Sequence, residues 1–288
     1  MPRPAIADEV SNALELLSRP GALLHTASAR STMNLFSPQQ RAVRAARIGR
    51  EYMDLQPDVR ADGLAAVVTA GPPGAGKTTA LEHAGFDETY RNIDPDLVKD
   101  FLVGTALEDD TFADLLSISL PDGKPIMPME LASLIHRESV SVAENIAAVA
   151  MRAGENVILQ GSLAWDGQPA QLLEQLEEFE YAALTIIDVE VDEDVAQERA
   201  IERWWLGRND PHNALGGRYV PRYLIHDLYQ SEGRTKCRTN AEVMLGMSKI
   251  PNTTLRTTSR GPDMTTESVS RKEAGPAGLD PPLNFDLG

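Results

Sequence analysis

The amino-acid sequence predicts an α/β fold, in which a parallel sheet carries helices on both faces and follows a helical segment. Three observations support this fold class. From residue 64 onward, short apolar runs that suit buried strands alternate with stretches of helical periodicity. The first of these runs, residues 64–70, leads into a glycine-rich loop and then into a helical pattern. The first 60 residues have helical spacing and no strand pattern.

The chain divides into an N-terminal helical extension (1–60), an α/β domain (61–260) and a tail (261–288). In the extension, a first helix ends at Pro20, and Ser37 resembles the N-cap of a second helix that reaches about residue 55. Every third position of the second helix is basic. The resulting basic stripe consists of Arg41, Arg44, Arg47 and Arg50. It either forms a solvated face or covers phosphates or an acidic surface of the same chain. The tail has no periodicity, so we expect it to be mostly disordered.

The α/β domain contains five predicted strands. They lie at residues 64–70, 90–94, 156–160, 181–191 and 253–258. The helices between and after them are predicted near residues 78, 95–102, 128–153, 168–179 and 192–206, and from about residue 221. Asn240 is a candidate cap for one more short helix, and residues 104–127 have a mixed pattern around the turn at Pro121-Asp122-Gly123.

Composition excludes several classes of protein. The net charge of −16 argues against general nucleic-acid binding, because that function needs a basic face. One cysteine, Cys237, excludes an internal disulfide framework and a multi-cysteine zinc site. The apolar runs are far shorter than a membrane span. We therefore expect a cytoplasmic protein that does not enter a membrane.

The loop after the first strand has the pattern GxxxxGK[ST]. It consists of Gly71, Pro72, Pro73, Gly74, Ala75, Gly76, Lys77 and Thr78, and is followed by Thr79. Glycines let successive backbone N–H groups point into one concavity, and the helix that follows adds the positive end of its dipole. Lys77 would reach the β- and γ-phosphates, and the Thr78 hydroxyl would bind Mg²⁺. We therefore predict a site for ATP or GTP with Mg²⁺.

Kinases, GTPases, motor ATPases and regulatory switches all use such a loop. The guanine-recognition sequence NKxD does not occur, and no acidic pair ends the apolar run at residues 184–188, so Asp188 is better explained as a structural residue. Arginines cluster late in the chain beside two tryptophans and several glycines: Arg199, Arg203, Arg208, Arg218 and Arg222. A mobile lid that carries arginines neutralises a transferring phosphoryl group, which favours a small-molecule kinase.

A kinase also needs a carboxylate near the acceptor hydroxyl. Asp94 and Asp96 follow the second strand, at the sheet edge where ligands of open α/β sheets bind. Asp94 is also suited to cap the next helix beside Pro95, so Asp96 is the better chemical candidate. Glu138 lies on the long helix, where it either faces a cleft or, by periodicity alone, faces solvent.

Taken in order, these segments resemble the zeta-toxin family of P-loop kinases. The resemblance covers about residues 62–260 and rests on residues 71–79, 92–99, 136–139, 154–163 and 201–204 together with 217–219. Members of this family are kinases, typically of the 3′-hydroxyl of UDP-N-acetylglucosamine with ATP or GTP. They poison peptidoglycan synthesis and are held in check by an antitoxin. The resemblance implies the P-loop kinase type of α/β sheet.

On the donor side, the resemblance implies that Lys77 and Thr78 bind the phosphates and the metal. It also implies that Arg203 and Arg218 are lid residues that contact the transferring phosphate.

On the acceptor side, the resemblance implies that Asp96 is the base and that Glu138 is a ligand of the sugar. Gln160 and Ser162 stand where the family commonly has an acidic residue and a threonine, and we predict that they contact the acceptor too.

The sequence thus predicts a kinase of a nucleotide-activated sugar, the toxin of a toxin–antitoxin system. Two alternatives stay open. One keeps the chemistry and changes the acceptor to NAD, another nucleotide or a polynucleotide end, and the other is a nucleotide-binding switch without phosphotransfer. The N-terminal helices either stabilise the sheet, inhibit the site in cis or contribute to an antitoxin interface.

Overall fold

The structure, a computed structural model, describes residues 4–57, 59–61, 63–86, 88–230, 234–260 and 265–272. These residues form one sheet with the strand order β2-β3-β1-β4-β5-β6. The strands are β1 (Ala65–Ala70), β2 (Tyr90–Ile93), β3 (Asn156–Leu159), β4 (Ala183–Val191), β5 (Asn252–Arg260) and β6 (Thr265–Arg271). The first five are parallel neighbours, which confirms the predicted parallel sheet, and β6 is antiparallel to β5.

Three helices precede the sheet: α1 (Ala5–Ser18), α2 (Thr32–Leu35) and α3 (Pro38–Met53). Those within the α/β domain are α4 (Lys77–His83), α5 (Pro95–Glu108), α6 (Ala113–Leu116), α7 (Ala132–Arg152), α8 (Gln168–Glu178), α9 (Glu193–Asn209), α10 (Arg222–His226) and α11 (Lys236–Met247). A 3₁₀ turn, Pro128–Leu131, leads into α7.

Both faces of the central strands β1, β3 and β4 are mostly buried, as is typical of parallel strands. Successive residues of a strand point to opposite faces, and β1 illustrates the consequence. Val67 belongs to the core beneath α4 and α9, whereas Ala66 and Val68 belong to the larger core that includes residues of α5, α7 and α11. The helices therefore cover both faces, as predicted.

The N-terminal helices share the larger core of the α/β domain. Val10 of α1 and Ile48 of α3 are both buried in it, and α3 packs on α5 and α7. The predicted cap of α3 is present as a capping box, since Ser37 Oγ accepts from Gln40 N at 3.3 Å and Ser37 N donates to Gln40 Oε1 at 2.9 Å.

Tyr52, near the end of α3, holds the carboxyl end of β2. Its hydroxyl donates to Asn92 O at 3.0 Å and accepts from Asp94 N at 2.8 Å. The extension thus supports the strand that leads to Asp96.

The expectation of disorder from residue 261 onward is wrong for residues 265–271. They form the edge strand β6, which pairs with β5 along one side although its sequence is mostly polar. Residues 261–264 and 273–288 lie outside the described part of the chain.

The prediction that Asn240 caps a helix is also wrong. Asn240 lies inside α11, where its side-chain amide donates to Leu163 O at 2.9 Å. Thr235 caps α11 instead, with its Oγ1 accepting from Arg238 N at 3.0 Å. In the described residues, no helix combines the length and the apolar character that crossing a bilayer requires.

Candidate active site

The loop between β1 and α4 is held in a shape that only glycine permits at several positions. Gly71, Gly74 and Gly76 have φ angles of 128°, 84° and 95°. A Cβ atom on Gly71 would lie 2.4 Å from Val189 O, and one on Gly74 would lie 2.2 Å from Ala196 O. The loop is therefore pressed against β4 and α9, with left-handed backbone that L side chains rarely adopt. This is the concave backbone that a phosphate loop needs.

Lys77 opens α4 and folds back over the loop. Its Nζ donates to Gly71 O at 2.8 Å and to Pro72 O at 3.0 Å. Burial lowers its pKa, while the charge of Asp96 acts in the opposite direction. A bound phosphate would offer the ammonium group a charged partner in place of two neutral carbonyls.

Thr78 and Thr79 are exposed in the first turn of α4. In the described residues, no group of three or more His, Cys, Asp and Glu side chains could hold a metal ion. Mg²⁺ commonly takes one or two protein ligands together with phosphate oxygens and water. The donor set therefore fits a Mg²⁺ ion that enters with the nucleotide and binds the Thr78 hydroxyl, and it does not fit an all-protein metal site.

Asp96 lies in the first turn of α5, after a cap made by Asp94. The Asp94 carboxylate accepts from Asp96 N at 2.8 Å, so Asp94 fulfils the capping role that the sequence left open. Asp96 Oδ1 lies 2.7 Å from Lys99 Nζ, and Oδ2 lies 2.5 Å from Arg218 Nη1. Burial alone would raise the pKa of Asp96, but Lys99 and Arg218 hold it well below its usual range. While Lys99 and Arg218 contact it, Asp96 is therefore ionised.

Two arginines complete the cleft opposite the loop. Arg218 also donates to Asp96 O at 3.1 Å, which fixes it on the first turn of α5. Arg203, on α9, is open to solvent although protein surrounds it on several sides. Burial in this concave surface lowers the pKa of Arg203, as does the charge of Arg218. Lys77, Asp96, Arg203 and Arg218 are electrostatic neighbours, so the structure brings the four predicted catalytic residues together.

Comparisons with known proteins identify a family and a fold for this chain. A family model described as an AAA domain matches residues 67–211, half of the chain, and includes the phosphate loop. The chain belongs to this AAA domain family. No curated protein matches it by sequence.

Solved structures share the fold of this AAA domain. One comes from the PezAT chromosomal toxin–antitoxin system of Streptococcus pneumoniae, with a TM-score of 0.53, 14% identity and coverage of 81% of this chain and 82% of that one. The AvrRxo1-ORF1:AvrRxo1-ORF2 structure with sulphate ions has a TM-score of 0.52 at 13% identity, with coverages of 88% and 73%. The structure of the same pair with ATP has a TM-score of 0.51 at 12% identity, with coverage of 81% of this chain and 67% of that one. These likenesses confirm, at the level of the fold, the resemblance to zeta-toxin kinases.

In the AAA domain, a residue that the sequence analysis did not assign also faces Asp96. His136 lies in the second turn of α7, and its side chain is open to solvent within a concave part of the protein. Asp96 and Lys99 are its electrostatic neighbours. Burial in the cleft, with help from Lys99, lowers its pKa to about 4. The imidazole is therefore neutral near pH 7 and can donate and accept hydrogen bonds.

Glu138 is not solvated, contrary to what periodicity predicts. Residues two apart on a helix lie on nearly opposite sides, so Glu138 faces away from His136. It is 2% exposed beneath α3, and Oε1 lies 3.2 Å from Arg44 Nε. A ligand could reach it only if α3 moved.

The arginine stripe of α3 covers acidic groups of the same chain. Besides Glu138, Arg44 lies 3.7 Å from the Asp109 carboxylate, and Arg47 lies 3.3 Å from the Glu108 carboxylate. For these two arginines the structure favours the second of the two predicted interpretations.

The remaining late arginines do not form a mobile lid. Arg208 is fully buried, where Nη1 donates to both Glu130 oxygens at 2.8 Å and Nε donates to Asp122 Oδ2 at 3.0 Å. This cluster fixes the end of α9 to the turn around residue 122. Arg222 lies 3.8 Å from the Asp8 carboxylate of α1, and Arg199 is exposed on α9. Arg203 and Arg218 are therefore presented from an anchored scaffold.

Gln160 and Ser162 lie at the end of β3, between the strands that carry the loop and Asp96. Gln160 Nε2 donates to Asn92 Oδ1 at 2.8 Å, and Ser162 O accepts from Gly71 N at 3.1 Å. Both residues tie neighbouring elements together, and their contact with an acceptor stays a prediction. Asp188 is buried and lies 3.2 Å from Arg238 Nη1, which agrees with the structural role expected for it.

Proposed function

We propose that this protein is an ATP- or GTP-dependent kinase that phosphorylates a hydroxyl group of a small molecule. The convergence of Lys77, Asp96, Arg203 and Arg218 in one cleft carries the proposal. A nucleotide switch needs no carboxylate for an acceptor hydroxyl. A carboxylate held ionised beside two arginines suits phosphoryl transfer, where a proton leaves the acceptor and charge develops on the donor.

In the proposed mechanism, the loop amides and Lys77 bind the donor phosphates. Mg²⁺, when bound at Thr78, neutralises charge on those phosphates. Arg218 exchanges Asp96 for the transferring phosphate, because the donor brings several negative charges into the cleft. The acceptor oxygen bonds to the γ-phosphorus, the bond to the β-phosphate oxygen breaks, and Asp96 takes the hydroxyl proton. Since Asp96 is a weak base, the proton moves late, when bond formation has made the hydroxyl acidic.

For the acceptor, the proposal is a nucleotide-activated sugar, UDP-N-acetylglucosamine, which rests on the zeta-toxin resemblance. His136 is placed to accept or donate a hydrogen bond to the acceptor. The fold shared with a structure from a toxin–antitoxin system supports a role as the toxin of such a pair, with a separate protein antitoxin as partner.

The decisive experiment incubates the protein with Mg²⁺ and ATP or GTP and a panel of acceptors. The panel contains UDP-N-acetylglucosamine, NAD, free nucleotides and an oligonucleotide with free ends, and products are identified by mass. We expect the activated sugar to gain one phosphoryl group. Phosphorylation of NAD or of oligonucleotide ends would keep the kinase and overturn the acceptor. Tight nucleotide binding without any acceptor, in the panel or in a cell extract, would favour a switch.

The matched variants are Asp96→Asn at the start of α5 and Glu108→Gln at its end, where Glu108 pairs with Arg47. Loss of the base should slow transfer by about 10²–10⁴-fold, with nucleotide affinity almost unchanged, whereas Glu108→Gln should keep most of the activity. Unchanged transfer in Asp96→Asn would refute the assigned base. In cells, induced expression of the wild type should arrest growth, and the Asp96→Asn protein should not.

A further inference from the structure

The segment that carries Arg218 lies between α9 and α1. A Cβ atom on Gly217 would lie 2.0 Å from Trp204 O, and one on Gly216 would lie 2.7 Å from the Met127 side chain. These glycines, which the sequence suggested as hinges of a lid, instead allow a close backbone approach. On one side the segment is therefore held against α9.

On its other side, the same segment is held by α1 through Tyr219. This side chain is 3% exposed, and its ring meets the Trp204 ring edge-on with centroids 5.2 Å apart. The Tyr219 hydroxyl lies 2.8 Å from Ser11 O and 3.1 Å from Glu15 Oε2. Arg218 and Tyr219 are adjacent, so the first reaches α5 from a backbone that the second fixes to α1.

Glu15 extends this attachment beyond Tyr219. Its carboxylate also accepts from Arg222 N at 2.8 Å and from Tyr223 N at 3.4 Å. One side chain of α1 therefore binds three donors within five residues of Arg218.

We propose that α1 positions Arg218 for phosphoryl transfer, with Tyr219 and Glu15 as positioning residues. This inference rests on the kinase function proposed above. Arg218 must pass from Asp96 to the transferring phosphate, and a displacement of about 1 Å in such a group can cost on the order of 10²-fold in rate. Under this proposal the first helix supports the site, so loosening it lowers activity. If the N-terminal helices inhibited the site in cis, loosening the first helix would instead raise activity.

The first test compares Tyr219→Phe with Tyr223→Phe in the full chain. Both remove one hydroxyl that contacts α1, since Tyr223 donates to Ser18 O at 3.0 Å. We expect Tyr219→Phe to lower kcat by about 10-fold, with KM and nucleotide affinity nearly unchanged, and Tyr223→Phe to keep the kcat of the wild type. Equal losses of kcat in the two variants, or a gain in Tyr219→Phe, would overturn the proposal.

A double-mutant cycle with Arg218→Met separates positioning from general destabilisation. If Tyr219 acts through Arg218, Tyr219→Phe causes no further loss of kcat once the guanidinium is gone. The same fold-loss in both backgrounds would mean that Tyr219 acts elsewhere, and the proposal would fail.

A readout without catalysis keeps this inference separate from the proposed function. Arg218 is one of the groups that depress the pKa of Asp96, so a displaced guanidinium lets that pKa rise. At pH 7, the NMR chemical shift of the Asp96 carboxylate, which Arg218 contacts at 2.5 Å, should change in Tyr219→Phe and not in Tyr223→Phe. An unshifted Asp96 in Tyr219→Phe refutes positioning, and failure of the wild type to phosphorylate any acceptor refutes only the kinase.

Discussion

Arg208→Met replaces the cation at the centre of a buried ionic cluster with an apolar side chain of similar length. The Arg208 and Glu130 side chains are 0% exposed and that of Asp122 is 8% exposed. Removal of one partner leaves Glu130 as an uncompensated buried charge, which typically costs about 3–5 kcal/mol. With an m-value of roughly 3 kcal/mol per M of urea, the unfolding midpoint should fall by ~1–1.7 M.

The pH dependence of this loss has a defined sign. Burial raises the pKa of Glu130 even with Arg208 beside it, and without Arg208 the pKa must rise further. A carboxyl group whose pKa is raised in the folded state costs more stability as the pH increases. The difference between variant and wild type should therefore be larger at pH 8 than at pH 5.5.

Urea unfolding, followed by tryptophan fluorescence and circular dichroism at both pH values, measures this difference. Arg47→Met is the matched control, because Arg47 forms exposed pairs with Glu51 and Glu108, and its midpoint should not change measurably. A wild-type midpoint for Arg208→Met, or a loss that does not shrink in acid, would refute the reasoning.

Three further predictions concern the cleft and its surroundings. Gly74→Ala should weaken nucleotide binding by at least ~10-fold, since its Cβ would lie 2.2 Å from Ala196 O, and titration with a fluorescent nucleotide measures this. His136→Ala should raise the KM for the acceptor by about 10-fold, with nucleotide affinity unchanged. Because the pKa of His136 is about 4, this residue should contribute no transition to the pH–activity profile between pH 5.5 and 8. Burial raises the pKa of Glu190 from 4.5 to about 7, so stability should fall as pH rises through this window, and Glu190→Gln should flatten that fall in urea unfolding.

Each of these has its own control. Gly85→Ala is the control for Gly74→Ala, because Gly85 also has a positive φ, +75°, but nothing lies within 4 Å of its Cβ position. Equal nucleotide affinity in the Gly74 and Gly85 variants would contradict the first prediction. Arg137→Ala, at the position next to His136, is the control for His136→Ala and should not change the KM for the acceptor. An unchanged pH slope in Glu190→Gln would show that Glu190 does not titrate as inferred.

The parallel sheet was predictable because its signals are local. The runs ending at Ala70 and Leu159 are short, mostly apolar and followed by turn residues, which is the pattern of buried strands. Strand β6 was not predictable, because neither face of residues 265–271 is apolar. The strand forms by pairing with β5. The helical cap at Ser37 was predictable, because its partner Gln40 is three residues away.

The site was only partly predictable. The topology of an α/β sheet places Asp96 at the loop edge, and the family resemblance adds Arg203 and Arg218. Periodicity could not place Glu138, because its partner Arg44 is 94 residues distant and on another helix. It could not single out His136 either, since helical spacing defines a face but not which element that face meets.

The contact between Ser11 and Tyr219 joins residues 208 positions apart. During synthesis at about 5–20 residues per second, the first helix leaves the ribosome roughly 10–40 s before its partner segment exists. The phosphate loop also depends on later residues, because Gly71 approaches Val189 of β4 and Gly74 approaches Ala196 of α9. Closure of the cleft through Ser11 and Tyr219 therefore ties its assembly to translation of about three quarters of the chain, and long-range closure of this kind slows folding.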